Sequence, residues 1–207
     1  MRKINFIFLV LAVIFGGAWL FVRISNAQAA ENNKNEVKKQ IEENINISSI
    51  NSSEEIQEET VSSMEEEVTE TPKQFGALYE EGETFGLISY FDNEASIVVG
   101  NTSESLKNNA MLSPYSTPDA MVILGHCYQD GSIFGKLYLL KENDSVSITE
   151  MDGTEKNFTV RNISWVTEEH YNSKEGIAEV FDGSSPLKLV TCMTKEGVKG
   201  RLIISLD

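Results

Sequence analysis

Cysteine, histidine and basic side chains are all scarce in this chain of 207 residues. It has two Cys, two His, and 17 Lys and Arg against 32 Asp and Glu, for a formal net charge of −15. Each shortage excludes something. Two Cys cannot frame a disulfide-dense scaffold, and with only two His beside them a structural zinc site is excluded as well. A chain this acidic, with no basic stripe, is no partner for nucleic acid, because phosphate contact rests on Lys and Arg. Aromatic residues are missing altogether from 27–74. No cofactor and no metal are expected: acids are plentiful in the loops 101–119 and 165–186, but no calcium-ligand spacing stands out among them.

The charge that is present is unevenly placed. Residues 1–26 carry +3, residues 27–74 carry −8, and residues 75–207 carry −10. The first stretch contains an uninterrupted apolar or small run from Phe6 to Val22. Its 17 residues would span about 26 Å as a helix, close to the hydrocarbon thickness of a bilayer. Arg2 and Lys3 precede the run and only Arg23 follows it, which keeps the N-terminus cytoplasmic and exports everything downstream. A cleavable signal peptide competes, with Ala27-Gln28-Ala29 before Ala30 as a cleavage site. The length of the run, and Arg23 ahead of that site, favour a retained membrane anchor over 1–26.

Residues 27–74 are Glu, Asn, Ser, Gln and Lys for the most part. Such a composition offers little apolar surface to offset chain entropy, so a disordered acidic linker is expected there. Ile41, Ile45, Ile47, Ile50 and Ile56 have some helical spacing, which leaves a transient helix or coiled coil as the competing possibility.

Residues 75–207 suit one domain. Short apolar runs at 85–91, 95–99, 120–124, 145–149, 157–164, 187–192 and 201–206 read as strands, with Gly100-Asn101, Asn143-Asp144, Asp152-Gly153 and Glu196-Gly197 as turns. Helices are expected only at 103–110 and 132–141. Many short strands with few helices point to an all-β closed barrel or a sandwich.

Few side chains here can do chemistry near neutral pH. His126 follows Gly125 at the end of the apolar strand Met121-Val122-Ile123-Leu124. Taken alone, it reads as a capping or turn histidine, with a cleft histidine as the competing reading. His170, in the polar stretch Glu168-Glu169-His170-Tyr171, is assigned no role. Cys192 ends the strand Leu187-Lys188-Leu189-Val190-Thr191, and Arg201 opens the next; the two are symmetric about Glu196-Gly197. A two-residue hairpin loop at that pair would make them cross-strand neighbours with Cβ atoms about 4.5–5.5 Å apart. A guanidinium there can stabilise a thiolate or an oxyanion. A three-residue loop would break the register, leaving a buried thiol and a solvated edge arginine.

Gly125-His126 after an apolar strand, Leu189-Val190-Thr191-Cys192 late in the chain and Arg201 opening the last strand together resemble the sortases, cysteine transpeptidases of Gram-positive bacteria. The resemblance covers roughly residues 84–207 and includes Asn143-Asp144-Ser145-Val146, where the family usually has Gly-Asp-x-Val or Ile. It implies a closed eight-stranded β-barrel. It further implies Cys192 as nucleophile, His126 as proton shuttle, Arg201 as oxyanion partner and Thr191 as a supporting substrate-side position. Lys188 stands where the family more often has Thr. The Asp-Pro-Phe or Asp-Pro-Trp segment that marks the lid of pilus-assembling sortases is missing, so protein anchoring is the more natural expectation. Implied partners are surface proteins with a C-terminal sorting signal of Leu-Pro-x-Thr-Gly type, and a peptidoglycan-precursor amine, with the membrane reached through the N-terminal helix. An exported cysteine hydrolase on the same fold, and a non-catalytic surface binding domain, are the competing functions. Cys127 is expected to face the core, since alternation sends 126 and 127 to opposite faces. A Cys127–Cys192 disulfide is the alternative.

Overall fold

A computed structural model describes residues 25, 27–48, 73–128 and 131–207. Alternating apolar side chains drive its assembly. Ile88, Ile97, Val99, Ile148, Leu187, Leu189, Ile204 and Leu206 are each no more than 1% exposed and face one shared interior. The strands that carry them are β1 (Thr84–Tyr90), β2 (Asn93–Val99), β3 (Ala110–Leu112), β4 (Met121–Gly125), β5 (Ser145–Glu150), β6 (Glu155–Thr167), β7 (Leu187–Lys195) and β8 (Val198–Leu206). They close into a barrel in the order β1-β2-β3-β4-β7-β8-β6-β5. The β1–β5 pairing joins the two ends of the sheet and closes the barrel. Expectation and structure agree on an all-β, eight-stranded closed barrel.

Part of the outer face is apolar too. Val122 of β4, Val190 of β7 and Ile203 of β8 form a second buried cluster with Val180. The connection between β6 and β7 folds into two short helices, α3 (Glu168–Tyr171) and α4 (Lys174–Val180), and brings Val180 over that face. Lys188, buried on the same face, donates from Nζ to the Glu179 carbonyl at 2.7 Å and to Asp182 Oδ1 at 2.5 Å. This ammonium caps the end of α4, where carbonyls lack helical partners. Burial alone would raise the Asp182 pKa, but Lys188 and Ser184 hold it at about 2.

The disordered linker expected over 27–74 does not describe 27–48, which is a helix, α1. Val37 and Ile41, one turn apart, are buried with Leu87 of β1 and pack on Met151. Asn44 Nδ2 donates to the Met151 carbonyl at 2.8 Å, Asn33 Nδ2 donates to Asn109 Oδ1 at 3.1 Å, and Lys38 pairs with Glu94. An isolated helix of this composition is marginal, and it is the barrel wall that supplies the missing apolar partners. Burying one Val and one Ile contributes about 1.5–3 kcal/mol each. Residues 49–72, and the anchor expected over 1–26 apart from Ser25, lie outside the described residues. Among the described residues no helix is long and apolar enough to cross a membrane.

Two expected helices are also corrected. The 103–110 segment is helical only at α2 (Ser103–Leu106), and Ala110 opens β3, which fills the gap between β2 and β4. Pairing with two neighbours outweighs its local helical preference. The 132–141 segment holds only a single 3₁₀ turn at Leu137–Leu139. Ile133, at φ 51°, takes the left-handed region, where no helix can continue.

Candidate active site

The register of the β7–β8 hairpin decides whether Cys192 and Arg201 meet. Glu196 (φ 51°) and Gly197 (φ 82°) both occupy the left-handed region, as a two-residue hairpin turn of the primed type requires. Lys195 then pairs with Val198, and counting back along the ladder Cys192 lies directly opposite Arg201. The two-residue loop is formed, and the cross-strand pair with it. On its other side β7 runs parallel to β4, their last aligned pair being Gly125 and Thr191. His126 is the next residue of that strand, so its backbone leaves β4 level with Cys192. Thr191 Oγ1 donates to the Gly125 carbonyl at 2.7 Å in a fully buried bond that ties the two strand ends together. A Cβ on residue 125 would stand 2.4 Å from the Phe134 ring, so only glycine lets that ring fill the interior beneath His126.

A cleft of about 560 Å³ opens here, with Cys127, Tyr138, Glu168, Thr191, Cys192 and Arg201 among its walls. Cys192, Arg201 and Thr191 are thus brought together. His126 is not part of the wall: its half-buried imidazole lies against the Tyr128 ring, centroids 5.2 Å apart. Burial lowers its pKa from the ordinary 6.5, leaving it neutral at pH 7.

Cys127 does not face the core. It is exposed and shares the cleft with Cys192, and both are free thiols. Strand alternation ends with β4 at Gly125; beyond it the chain turns, and Cys127 bridges to Ile133. The strained Ile133 is held by two donors, Tyr90 Oη and Asn93 Nδ2, each 2.7 Å from its carbonyl. Partial loss of solvent around its sulfur within the cleft raises the Cys127 thiol above its ordinary 9.0, and the nearby Cys192 adds to the shift.

Arg201 has partners the sequence did not announce. Its Nη2 donates to Glu168 Oε1 at 3.2 Å, its Nη1 to the Gly200 carbonyl at 3.1 Å, and its guanidinium lies 5.0 Å from the Tyr171 ring centroid. Glu168 and Tyr171 belong to α3, which expectation left as a polar loop. The legible signal was Thr167, whose hydroxyl accepts from the His170 N–H at 3.2 Å and caps the helix, followed by two glutamates in the first turn. His170 pairs with Glu179 of α4 at 3.0 Å and has no place in the cleft wall. Among the described residues no group of three His, Cys, Asp or Glu gathers to hold a metal.

Comparison with known proteins agrees with this architecture. No curated protein sequence matches the chain. Among solved structures, sortase C from Clostridium perfringens SM101 is 16% identical with a TM-score of 0.51, over 84% of this chain and 88% of that one. A pilus-related sortase C of Group B Streptococcus is 18% identical with a TM-score of 0.51, over 82% and 89%. Sortase A from Corynebacterium diphtheriae is 22% identical with a TM-score of 0.49; the match covers 59% of each chain, so this chain spans about six-tenths of that relative's length. At these identities the likeness is one of fold. The family model for the sortase domain matches residues 87–207, which is more than half of the chain and includes all eight strands except the start of β1; the chain belongs to the sortase family.

Proposed function

We propose that the chain is a membrane-tethered cysteine transpeptidase that joins surface proteins to a cell-wall amine. The observation that carries this reading is the direct opposition of Cys192 and Arg201 within the cleft, in a member of the sortase family. His126 takes the thiol proton of Cys192, and the sulfur attacks the Thr carbonyl of a Leu-Pro-x-Thr-Gly-like sorting signal. Arg201 donates N–H groups to the oxyanion that forms, a contribution of about 10²–10³ in rate for one such donor. Proton transfer through His126 to the leaving amine releases the downstream peptide and leaves a thioacyl bond on Cys192. An amine of the peptidoglycan precursor then gives a proton to His126 and attacks the thioacyl carbon, and Cys192 departs and recovers that proton from His126. Thr191 supports the nucleophile from within, through its bond to Gly125.

The apolar run at 6–22 would anchor the chain with its N-terminus cytoplasmic and its barrel outside. Enzyme, sorting signal and lipid-linked amine would then share one thin layer, which raises their effective concentration. The missing lid segment favours protein anchoring over pilin polymerisation. Incubation with a panel of sorting-signal peptides and triglycine tests the reading: a ligated product supports it. Hydrolysis without ligation would make the chain a hydrolase, and turnover surviving in Cys192→Ala would make Cys192 structural.

A further inference from the structure

Arg201 sits at a crossing of three strands and one helix. On β8 it is opposite Cys192 of β7 on one side and Val166 of β6 on the other. Glu168 lies two residues beyond Val166, where β6 gives way to α3, and Tyr171 lies three residues further, on the same helical face. One short turn of chain therefore delivers a carboxylate and an aromatic ring to the same guanidinium. The Gly200 carbonyl supplies a third contact.

This arrangement is not explained by stability. The Glu168 side chain is 44% exposed, and ion pairs so exposed contribute little to folding. An arginine on an open strand would also carry large rotamer freedom, spread over many directions in solvent. Here the side chain is only 20% exposed, held edge-on by Glu168 and Gly200 and face-on by Tyr171. Two of the five guanidinium N–H groups are spent on these contacts, and the rest remain for an incoming oxygen. Donors to a developing oxyanion act best when already fixed in place.

We propose that Glu168 and Tyr171 are positioning residues, a clamp through which α3 aims Arg201 at the reacting carbonyl above Cys192. The proposal rests on the transpeptidase reading given above. Neither residue touches the substrate's reacting atoms; both act through Arg201. Because α3 belongs to the connection between β6 and β7, the aim of the oxyanion donor is set by the same segment that walls the cleft.

Steady-state kinetics of the full chain, with the best Leu-Pro-x-Thr-Gly peptide of the panel and triglycine, tests the clamp. Glu168→Gln keeps a hydrogen-bond acceptor but loses the charge, and is expected to lower kcat about tenfold or more with KM within about twofold. Tyr171→Leu is expected to do the same, and Tyr171→Phe, which keeps the ring face, to recover most of the rate. Glu168→Gln is expected to have no further effect when Arg201 is already Ala, because its action passes through that side chain. An unchanged kcat in Glu168→Gln, or an equal loss with and without Arg201, would overturn the clamp. Wild-type turnover in Arg201→Ala would instead overturn the role of Arg201 on which the clamp depends, so the two failures are distinguishable.

Discussion

At the scale of residues, two titratable groups with shifted pKa values give measurable consequences. Burial holds the His126 pKa below the ordinary 6.5. The unfolded chain therefore takes up this proton first as pH falls. His126 favours the native state above pH 6.5, and that contribution fades as pH drops from 6.5 through its lowered folded value. An NMR titration of the His126 ring, assigned with a His126→Gln variant, is expected to give a midpoint below 6.5; a midpoint at or above 6.5 would contradict its burial. Asp182 has the usual carboxylate sign. Its pKa of about 2, against an ordinary 3.8, makes it stabilising above pH 3.8, and the effect is lost as pH falls towards 2. Lys188→Met removes the ammonium that holds this carboxylate. It should lower stability by about 1–3 kcal/mol at pH 7, less than for a fully buried pair because Asp182 is 42% exposed. The melting temperature should then vary less between pH 4 and 2 than in the parent; an equally steep dependence would show that Lys188 does not hold Asp182.

At the scale of elements, the β7–β8 turn and α1 carry the sharpest tests. One glycine inserted after Gly197 lengthens the loop to three residues and moves Arg201 out of register with Cys192. The barrel should stay folded, at a cost of about 1–3 kcal/mol, while turnover falls at least 10²-fold, as for loss of an oxyanion donor. Full activity in this variant would mean that the cross-strand pair is incidental. In α1, Ile41→Asp places a charge against Leu87 and should release the helix from the barrel. Hydrogen exchange is then expected to quicken over 27–48 and to leave β7 and β8 protected; unchanged exchange would contradict docking through Ile41. These elements also mark where the sequence was legible. The period-2 runs of β1, β2, β4, β5, β7 and β8, and the arithmetic that pairs 192 with 201, depend on local pattern and came through. What was missed depends on partners distant in the chain. Ala110–Leu112 becomes a strand because β2 and β4 need a neighbour. The helix at 27–48 exists because Leu87 and Met151 accept Val37 and Ile41. Cys127 turns to the cleft because Ile133 bends the chain back, and Glu168 reaches Arg201 only once β6 pairs with β8.

At the scale of the whole molecule, the net charge of −15 belongs to three unlike stretches. The sortase barrel supplies the cleft, and α1, packed on Leu87 of β1 and paired with Glu94 of β2, makes part of the acidic stretch an extension of the barrel. The central claim is that acyl transfer passes through Cys192. The most direct measurement is intact-mass analysis of the full chain during incubation with the Leu-Pro-x-Thr-Gly peptide panel, with and without triglycine. The expected result is a thioacyl adduct on Cys192 that disappears as peptide–triglycine product accumulates, with both absent in Cys192→Ala. Product formed only by hydrolysis, or ligation that survives in Cys192→Ala, would contradict it.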